Sequence, residues 1–179
     1  MNAFETDRLI FRTFELDDLP VLARISGDEE TSLYVGDGGP LSFEDTWQWI
    51  ENSRRNVREH GYGTGALVLR ETGELIGWAG IARPGDGTEE IIYGFDRAHW
   101  GRGLGTELLA GLVRWTRDIL GFDEVRATVH PYNAASVAML ERQGFNLVEN
   151  AFEGDPNVHL YVLTFDQEAG GGRSVTRAP

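Results

Sequence analysis

The sequence predicts a single α/β domain, α+β in the way its hairpins and helices segregate, built on a mixed sheet flanked by helices. Three observations predict it. An apolar run from Ile91 to Phe95 ends in a short polar turn, and after Gly101-Arg102-Gly103-Leu104-Gly105 the apolar spacing becomes helical. A strand, a Gly-rich loop and a helix therefore follow one another. Ala66 to Leu69 and Leu75 to Ile81 are apolar runs separated by Glu71-Thr72-Gly73-Glu74, a spacing suited to a hairpin. Finally, 179 residues are most simply one domain, long enough to bury about two-thirds of the surface its unfolded form exposes. The element order reads β-α-α-β-β-β-α-β-α-β-β.

Leu9 to Phe14 is the first strand. Asp17 then caps a short helix through Leu19, Val21, Leu22 and Ile25, with Pro20 tolerated in its first turn. Gly36-Asp37-Gly38-Gly39-Pro40 breaks the chain, and Ser42 begins the next helix with Asp45 in a capping-box-like place three residues on. Phe43, Trp47, Ile50 and Val57 give that helix an apolar stripe. Trp47 and Trp49 project about 200° apart and cannot both meet the core; one of them either packs under the preceding loop or faces a ligand or partner. Pro84-Gly85-Asp86-Gly87 turns the chain into the strand holding Glu90. Leu104, Leu108, Leu112, Trp115 and Ile119 recur at steps of three and four, a face that packs on the sheet, and Gly121 ends that helix at C′. Val125 to Val129 is the next strand, Ala134 to Gln143 a short helix closed by Gly144, and Leu147, Val148 and Val158 to Phe165 supply the closing strands. The domain spans residues 1–166. The tail from 167 to 179, with Gly170-Gly171-Gly172 and no apolar periodicity, is expected to be disordered.

Composition excludes several chemistries. The chain has no cysteine, which removes disulfides, thiolate nucleophiles, Fe–S ligation and the usual structural zinc sites. It has no lysine, which removes Schiff-base chemistry. His60, His99, His130 and His159 lack metal-ligand spacing, so no metal is expected, and Ser136 lies outside a Gly-x-Ser-x-Gly elbow. A net charge of −13 opposes binding to nucleic acid and to anionic membranes. It weakly favours cationic partners and equally serves solubility. The first residues carry no basic-then-apolar signal pattern and no apolar run approaches bilayer length, so a cytoplasmic location is expected.

The Gly-rich loop is the richest stretch chemically. The first backbone N–H groups of a helix have no partner within it, and the positive end of the macrodipole lies there too. Such a start is an anion site. Gly101, Gly103 and Gly105 let phosphate oxygens approach bare amides, and Arg102 adds a fixed charge; a plain Gly-rich surface loop is the alternative. A P-loop would need a lysine. A dinucleotide fingerprint would need a third glycine where Leu108 stands, and an acidic residue closing the next strand, whereas Asp123 and Glu124 precede it.

Trp100-Gly101-Arg102-Gly103-Leu104-Gly105 resembles the acyl-CoA-binding motif Gln/Arg-x-x-Gly-x-Gly/Ala of the GCN5-related N-acetyltransferases (GNAT family). Trp100 in place of Gln or Arg is similar to the RimJ/RimL-like branch of ribosomal-protein N-terminal acetyltransferases. The segment from Pro131 to Phe145 resembles the family's Asn-x-x-Ser to Gly-Phe segment, and Glu5-Thr6-Asp7-Arg8-Leu9-Ile10-Phe11-Arg12 resembles the branch's opening strand. Together these cover roughly Phe4 to Phe165. The resemblance implies a mostly antiparallel GNAT-like sheet and an acetyl-CoA-dependent N-acetyltransferase. It implies direct attack of an amine on the thioester, with no metal. Phe95, Trp100, Gly101, Arg102, Gly103, Leu104, Gly105, Thr106, Asn133 and Ser136 are the expected cofactor contacts. Asn133 either meets the pantetheine arm or caps its helix.

Direct attack requires a proton acceptor, an oxyanion stabiliser and a donor for the leaving thiolate. Glu90 is the candidate base, through a water, against an ordinary strand-end carboxylate; Glu89 projects to the opposite face unless a bulge exchanges them. The family's usual tyrosine acid falls at Leu140. Ser136 is the expected substitute, as in the RimJ/RimL-like branch, with Tyr132 as runner-up; a helix-start hydroxyl is the alternative role for Ser136. The acceptor is expected to be a protein or peptide N-terminal α-amine. A small-molecule amine such as a polyamine or antibiotic, or a non-catalytic acyl-CoA sensor, stands as the alternative. The sequence leaves acyl-chain preference and oligomeric state open, a homodimer included.

Overall fold

The structure is a computed structural model that describes residues 2–35, 39–85 and 87–165. The expectation for the 167–179 tail, and those for Gly36, Asp37, Gly38 and Asp86, lie outside the described residues. The strands are β1 (Asn2–Glu5), β2 (Leu9–Arg12), β3 (Thr64–Leu69), β4 (Leu75–Ala82), β5 (Glu90–Phe95), β6 (Glu124–Val129), β7 (Asn146–Glu149) and β8 (His159–Thr164). The helices are α1 (Leu19–Ser26), α2 (Glu29–Ser32), α3 (Phe43–His60), α4 (Leu104–Asp118) and α5 (Ala134–Arg142). All strands join one sheet in the order β1-β2-β3-β4-β5-β6-β8-β7. Neighbours are antiparallel except β5 and β6.

Strand alternation gives the sheet two apolar faces. On one, α4 packs Leu104, Leu108, Leu109, Leu112 and Trp115 with Leu9, Phe11, Ile76, Ile91 and Val125. On the other, α1 and α3 bring Leu22, Ile25 and Ile50 to Ala66, Val68 and Trp78. Leu108 and Leu112 are fully buried, so replacing either with Ala would cost about 2–5 kcal/mol.

The β5 strand has two unequal edges. Toward β4 its ladder runs unbroken from Ala82↔Glu90 to Gly77↔Phe95, so no bulge exchanges Glu89 and Glu90. Toward β6 it shares only the pair Glu90↔Arg126. The two parallel strands part beyond Glu90, and the edge of β5 from Ile92 to Phe95 is left without a ladder there. The Gly-rich loop begins at that open end.

Several expectations are corrected. β1 precedes the first expected strand, and β2 ends at Arg12 rather than Phe14. Asp18, not Asp17, organises the start of α1: its carboxylate accepts two bonds from the Arg12 guanidinium at 2.7 and 2.8 Å and the Glu15 N–H at 2.8 Å. On α3, Phe43 and Trp47 are 59% and 40% exposed, while Thr46, Ile50 and Ser53 are buried. The inner face tolerates hydroxyls because each is paired, Thr46 with Ser26 and Ser53 with Thr64. Trp49 therefore turns inward, edge-on to Phe14 and Trp78, with its indole N–H donating to Thr64 at 3.0 Å. Ser42 does cap α3, accepting the Asp45 N–H at 3.1 Å. α4 stops at Asp118, leaving Ile119 exposed as its C-cap. Gly121, at φ +71°, lies two residues beyond Ile119 and turns the chain so that the Phe122 N–H reaches Thr116.

Candidate active site

The loop after β5 is held before the glycines are reached. Asp96 accepts the Ala98 N–H at 3.1 Å and the Arg24 guanidinium at 2.7 Å, and the half-exposed Trp100 donates its indole N–H to the Phe95 carbonyl at 2.9 Å. Trp100 thus closes the end of β5, and its polar atom is committed there. Gly101 and Gly103 then take φ of +72° and +73°, a region that side chains disfavour. Gly103 is the N-cap of α4 and no side chain caps it. The amides of Leu104, Gly105 and Thr106 in the first turn consequently lack partners within the helix, which is the anion-binding geometry expected of this loop.

The glycines serve different ends. A Cβ on Gly103 would meet nothing nearer than the Arg8 guanidinium, at 3.7 Å, and one on Gly101 nothing within 4 Å. Backbone conformation and open approach are what those positions require. A Cβ on Gly105 would instead lie 2.7 Å from the Met139 sulfur, so Gly105 is the point where α4 meets α5. Leu104 is buried in the core, which leaves only its amide for a ligand. Phe95 packs beside the same core, partly buried.

Arg8 is a residue the sequence did not single out. Its guanidinium donates to Glu107 at 2.6 Å and to the Arg102 carbonyl at 2.9 Å, and Thr6 and the Arg8 amide donate to the other oxygen of Glu107 at 2.6 and 2.8 Å. Burial alone would raise the Glu107 carboxyl, but these hydrogen bonds outweigh it and hold the group below the usual carboxylate range. The network ties the β1–β2 turn to the first turn of α4 and sets a second cation beside Gly103. Its signal was the Thr6-Asp7-Arg8 segment; the partner, Glu107, lies far along the chain.

The remaining candidates sit around the parting of β5 and β6. Asn133 is the N-cap of α5, its Oδ1 accepting the Ser136 N–H at 3.2 Å. Asn133 therefore fills the capping role, and the Ser136 hydroxyl is not needed for it. Leu140 is buried in the core. Tyr132 is 79% exposed, with its ring against His130, which also meets Tyr34; His130 Nδ1 accepts the Tyr132 N–H at 3.2 Å.

Glu90 begins β5 at the closed, paired end of the parting rather than beside the loop. It is buried, with one oxygen 3.0 Å from Arg83 and the other accepting the Thr128 hydroxyl at 2.6 Å. Arg83 adopts φ +50°, an uncommon backbone state for a side-chain-bearing residue. Glu89 points to the other face, where it accepts from Tyr62 at 3.0 Å and the Gly85 N–H at 2.9 Å. Glu90, Ser136 and the Gly-rich loop do not form one contact cluster; β5 and its open edge connect them.

Comparison with known proteins fits this geometry. The chain is 34% identical over 124 residues to N-alpha-acetyltransferase RimI of Mycobacterium tuberculosis, covering 66% of this chain and 69% of that protein. It is 38% identical over 130 residues to mycothiol acetyltransferase of Salinispora tropica, covering 68% of this chain and 42% of that protein. The structure of RimL, a ribosomal L7/L12 alpha-N-protein acetyltransferase in complex with coenzyme A, superposes with a TM-score of 0.76 at 17% identity, covering 93% of this chain and 99% of that one, a likeness of fold. Acetyltransferases of this kind draw on acetyl-CoA, which the uncapped start of α4, with Arg102 and Arg8 before it, suits. Among the described residues no helix is long and apolar enough to cross a membrane. With the Acetyltransferase (GNAT) domain matching residues 8–146, the chain belongs to the GNAT acetyltransferase family.

Proposed function

We propose that this acetyltransferase moves the acetyl group of acetyl-CoA to the α-amine of a protein or peptide N-terminus by direct attack. The amine nitrogen bonds to the thioester carbonyl carbon, the carbon–sulfur bond breaks, and sulfur takes up a proton. On the chain's side, the first-turn amides of α4 with Arg102 and Arg8 hold the pyrophosphate, Ser136 donates toward the sulfur, and Glu90 receives the amine's proton through water. Tyr132, exposed at the rim, is the weaker candidate donor.

The observation that carries the acceptor assignment is the double commitment of Glu90 to Arg83 and Thr128. Carboxylates as a class are weak bases, and both oxygens of this one are already engaged. An α-amine, with a pKa near 8, is about a tenth unprotonated at pH 7, whereas an ε-amine or polyamine near 10.4 is unprotonated only to about one part in 10³ to 10⁴. A weak base therefore suits the α-amine. Similarity to RimI points the same way, and similarity to mycothiol acetyltransferase supports a small-amine acceptor.

A radiolabelled acetyl-CoA assay against peptides with free α-amines, Nα-blocked lysine peptides, spermidine and amino sugars separates the readings. Peptide turnover supports the proposal. Turnover of small amines alone supports the second reading. Acetyl-CoA binding without any turnover would identify a sensor.

A further inference from the structure

We propose that Tyr93 is a positioning residue for the proton-donating step, its hydroxyl donating a hydrogen bond to Ser136 Oγ when the thioester is attacked. The inference rests on the reading of Ser136 as the acid. Tyr93 lies on the open stretch of β5, and alternation turns it with Ile91 and Phe95 to the α4 face, where Val137 and Met139 of α5 also pack. Although the ring is partly accessible, the hydroxyl oxygen is sealed from solvent and has no hydrogen-bond partner. Buried polar groups are nearly always paired, so a buried orphan at a ligand site calls for an account.

Ser136 is the polar side chain that bears on this hydroxyl. Burial pushes the Tyr93 phenol up, and the neighbouring Ser136 draws it back, yet the two side chains do not meet the geometry of a hydrogen bond. Catalytic hydrogen bonds are often long or misaligned until the reacting complex forms. A raised phenol stays protonated at working pH, which makes Tyr93 a donor and not a shuttle.

A second hydroxyl answers a chemical difficulty. An alcohol is a far weaker acid than a thiol, whose ordinary pKa is about 8.5. As the Ser136 proton shifts toward the leaving sulfur, negative charge builds on Oγ, and the start of α5 offers it only a partial positive charge. A preorganised O–H from Tyr93 meets that charge in a site closed to water. The nitrogen–carbon bond forms, the carbon–sulfur bond breaks, sulfur takes the serine proton, and Ser136 recovers one from solvent as products leave. Tyr93 keeps its own proton throughout.

Tyr93→Phe removes only the hydroxyl. We expect kcat with acetyl-CoA to fall about 10-fold, in line with loss of a hydrogen bond to a charged group, with KM for acetyl-CoA unchanged. Because the lost group has no hydrogen-bond partner in the fold, the thermal midpoint should hold or rise. With the selenoester analogue of acetyl-CoA, whose selenolate leaves without help, the deficit should shrink to within about twofold. The Ser136→Ala/Tyr93→Phe double variant should be no slower than Ser136→Ala alone, since both act as one unit.

A wild-type rate in Tyr93→Phe beside an impaired Ser136→Ala overturns the inference and leaves the Ser136 reading standing. So does an equal deficit with thioester and selenoester, or a lowered thermal midpoint, which would mark Tyr93 as structural. An unimpaired Ser136→Ala overturns the reading of Ser136 itself.

Discussion

Glu90 and Tyr93 stand three residues apart on β5, about 10 Å along the strand, and alternation turns them to opposite faces. Both are polar groups in a strand that is otherwise apolar. Glu90 lies where β5 is paired on both edges and is matched by Arg83 and Thr128. Tyr93 lies where β6 has parted from β5, and its sealed hydroxyl has no partner. The difference teaches where a ligand belongs. A buried group that folding has already satisfied stabilises the fold as it stands, whereas one left unsatisfied costs free energy until something else arrives. The proposed place of the acetyl donor follows the open stretch of β5, the uncapped start of α4 and the start of α5. In the proposed mechanism Glu90 receives the amine's proton at the closed end, through water.

The most damaging change to that picture would be at the loop. Acetyl-CoA, and not NAD, should raise the thermal midpoint of the wild-type protein, and Gly103→Val should abolish the rise. Valine cannot readily adopt φ +73° and would place a side chain where phosphate oxygens approach. A shift with NAD and none with acetyl-CoA would remove the cradle from the account.

Ser136→Ala comes next. Its kcat should fall about 10²-fold or more while the acetyl-CoA Kd barely moves; Tyr132→Phe, at an exposed rim position, should stay within about twofold. Equal effects of the two would erase the distinction drawn between Ser136 and Tyr132. Glu90→Gln should lower kcat/KM about 10-fold, a modest loss because the carboxylate is already engaged by Arg83 and Thr128. A loss as large as that of Ser136→Ala would mean that Glu90 is freed when substrate binds.

The smallest effect concerns Glu107 and appears as a pH dependence of stability. Its folded pKa is depressed by the Thr6 and Arg8 hydrogen bonds, so its contribution is present above the ordinary carboxylate range and is lost as pH falls through the depressed value. Glu107→Gln should therefore flatten the acid limb of stability against pH while changing the thermal midpoint little below that limb. An unchanged acid limb would show that Glu107 does not anchor the β1–β2 turn.

Much of the fold was legible because its signals are local. The strand, loop and helix from Ile91 to Trp115 follow one another without a break, and the hairpin of β3 and β4 is marked by its own turn residues. What failed depends on partners distant in sequence. Trp49 rather than Trp47 faces inward because the Ser53 and Thr64 hydroxyls prepare a place for its N–H. Gly105 serves the close approach of Met139, a contact invisible in a loop motif. Arg8 reaches the loop through Glu107 and the Arg102 carbonyl, both more than ninety residues away in sequence. β1 has four residues and a register shift against β2, too little pattern to register as a strand. In the site, the loop and the Asn133–Ser136 pair could be picked out by their residues. The partners of Glu90 and the solitude of Tyr93 required coordinates, because burial and pairing are properties of the folded chain.

The most direct test compares kcat/KM, as a function of pH, for a peptide with a free α-amine, its Nα-blocked counterpart carrying one lysine, and spermidine. The account predicts that the free α-amine is preferred and that its rate rises with pH to level off near pH 8, where the acceptor loses its proton. Strong turnover of spermidine or the lysine peptide beside an inert α-amine, with rates still climbing toward pH 10, would contradict it.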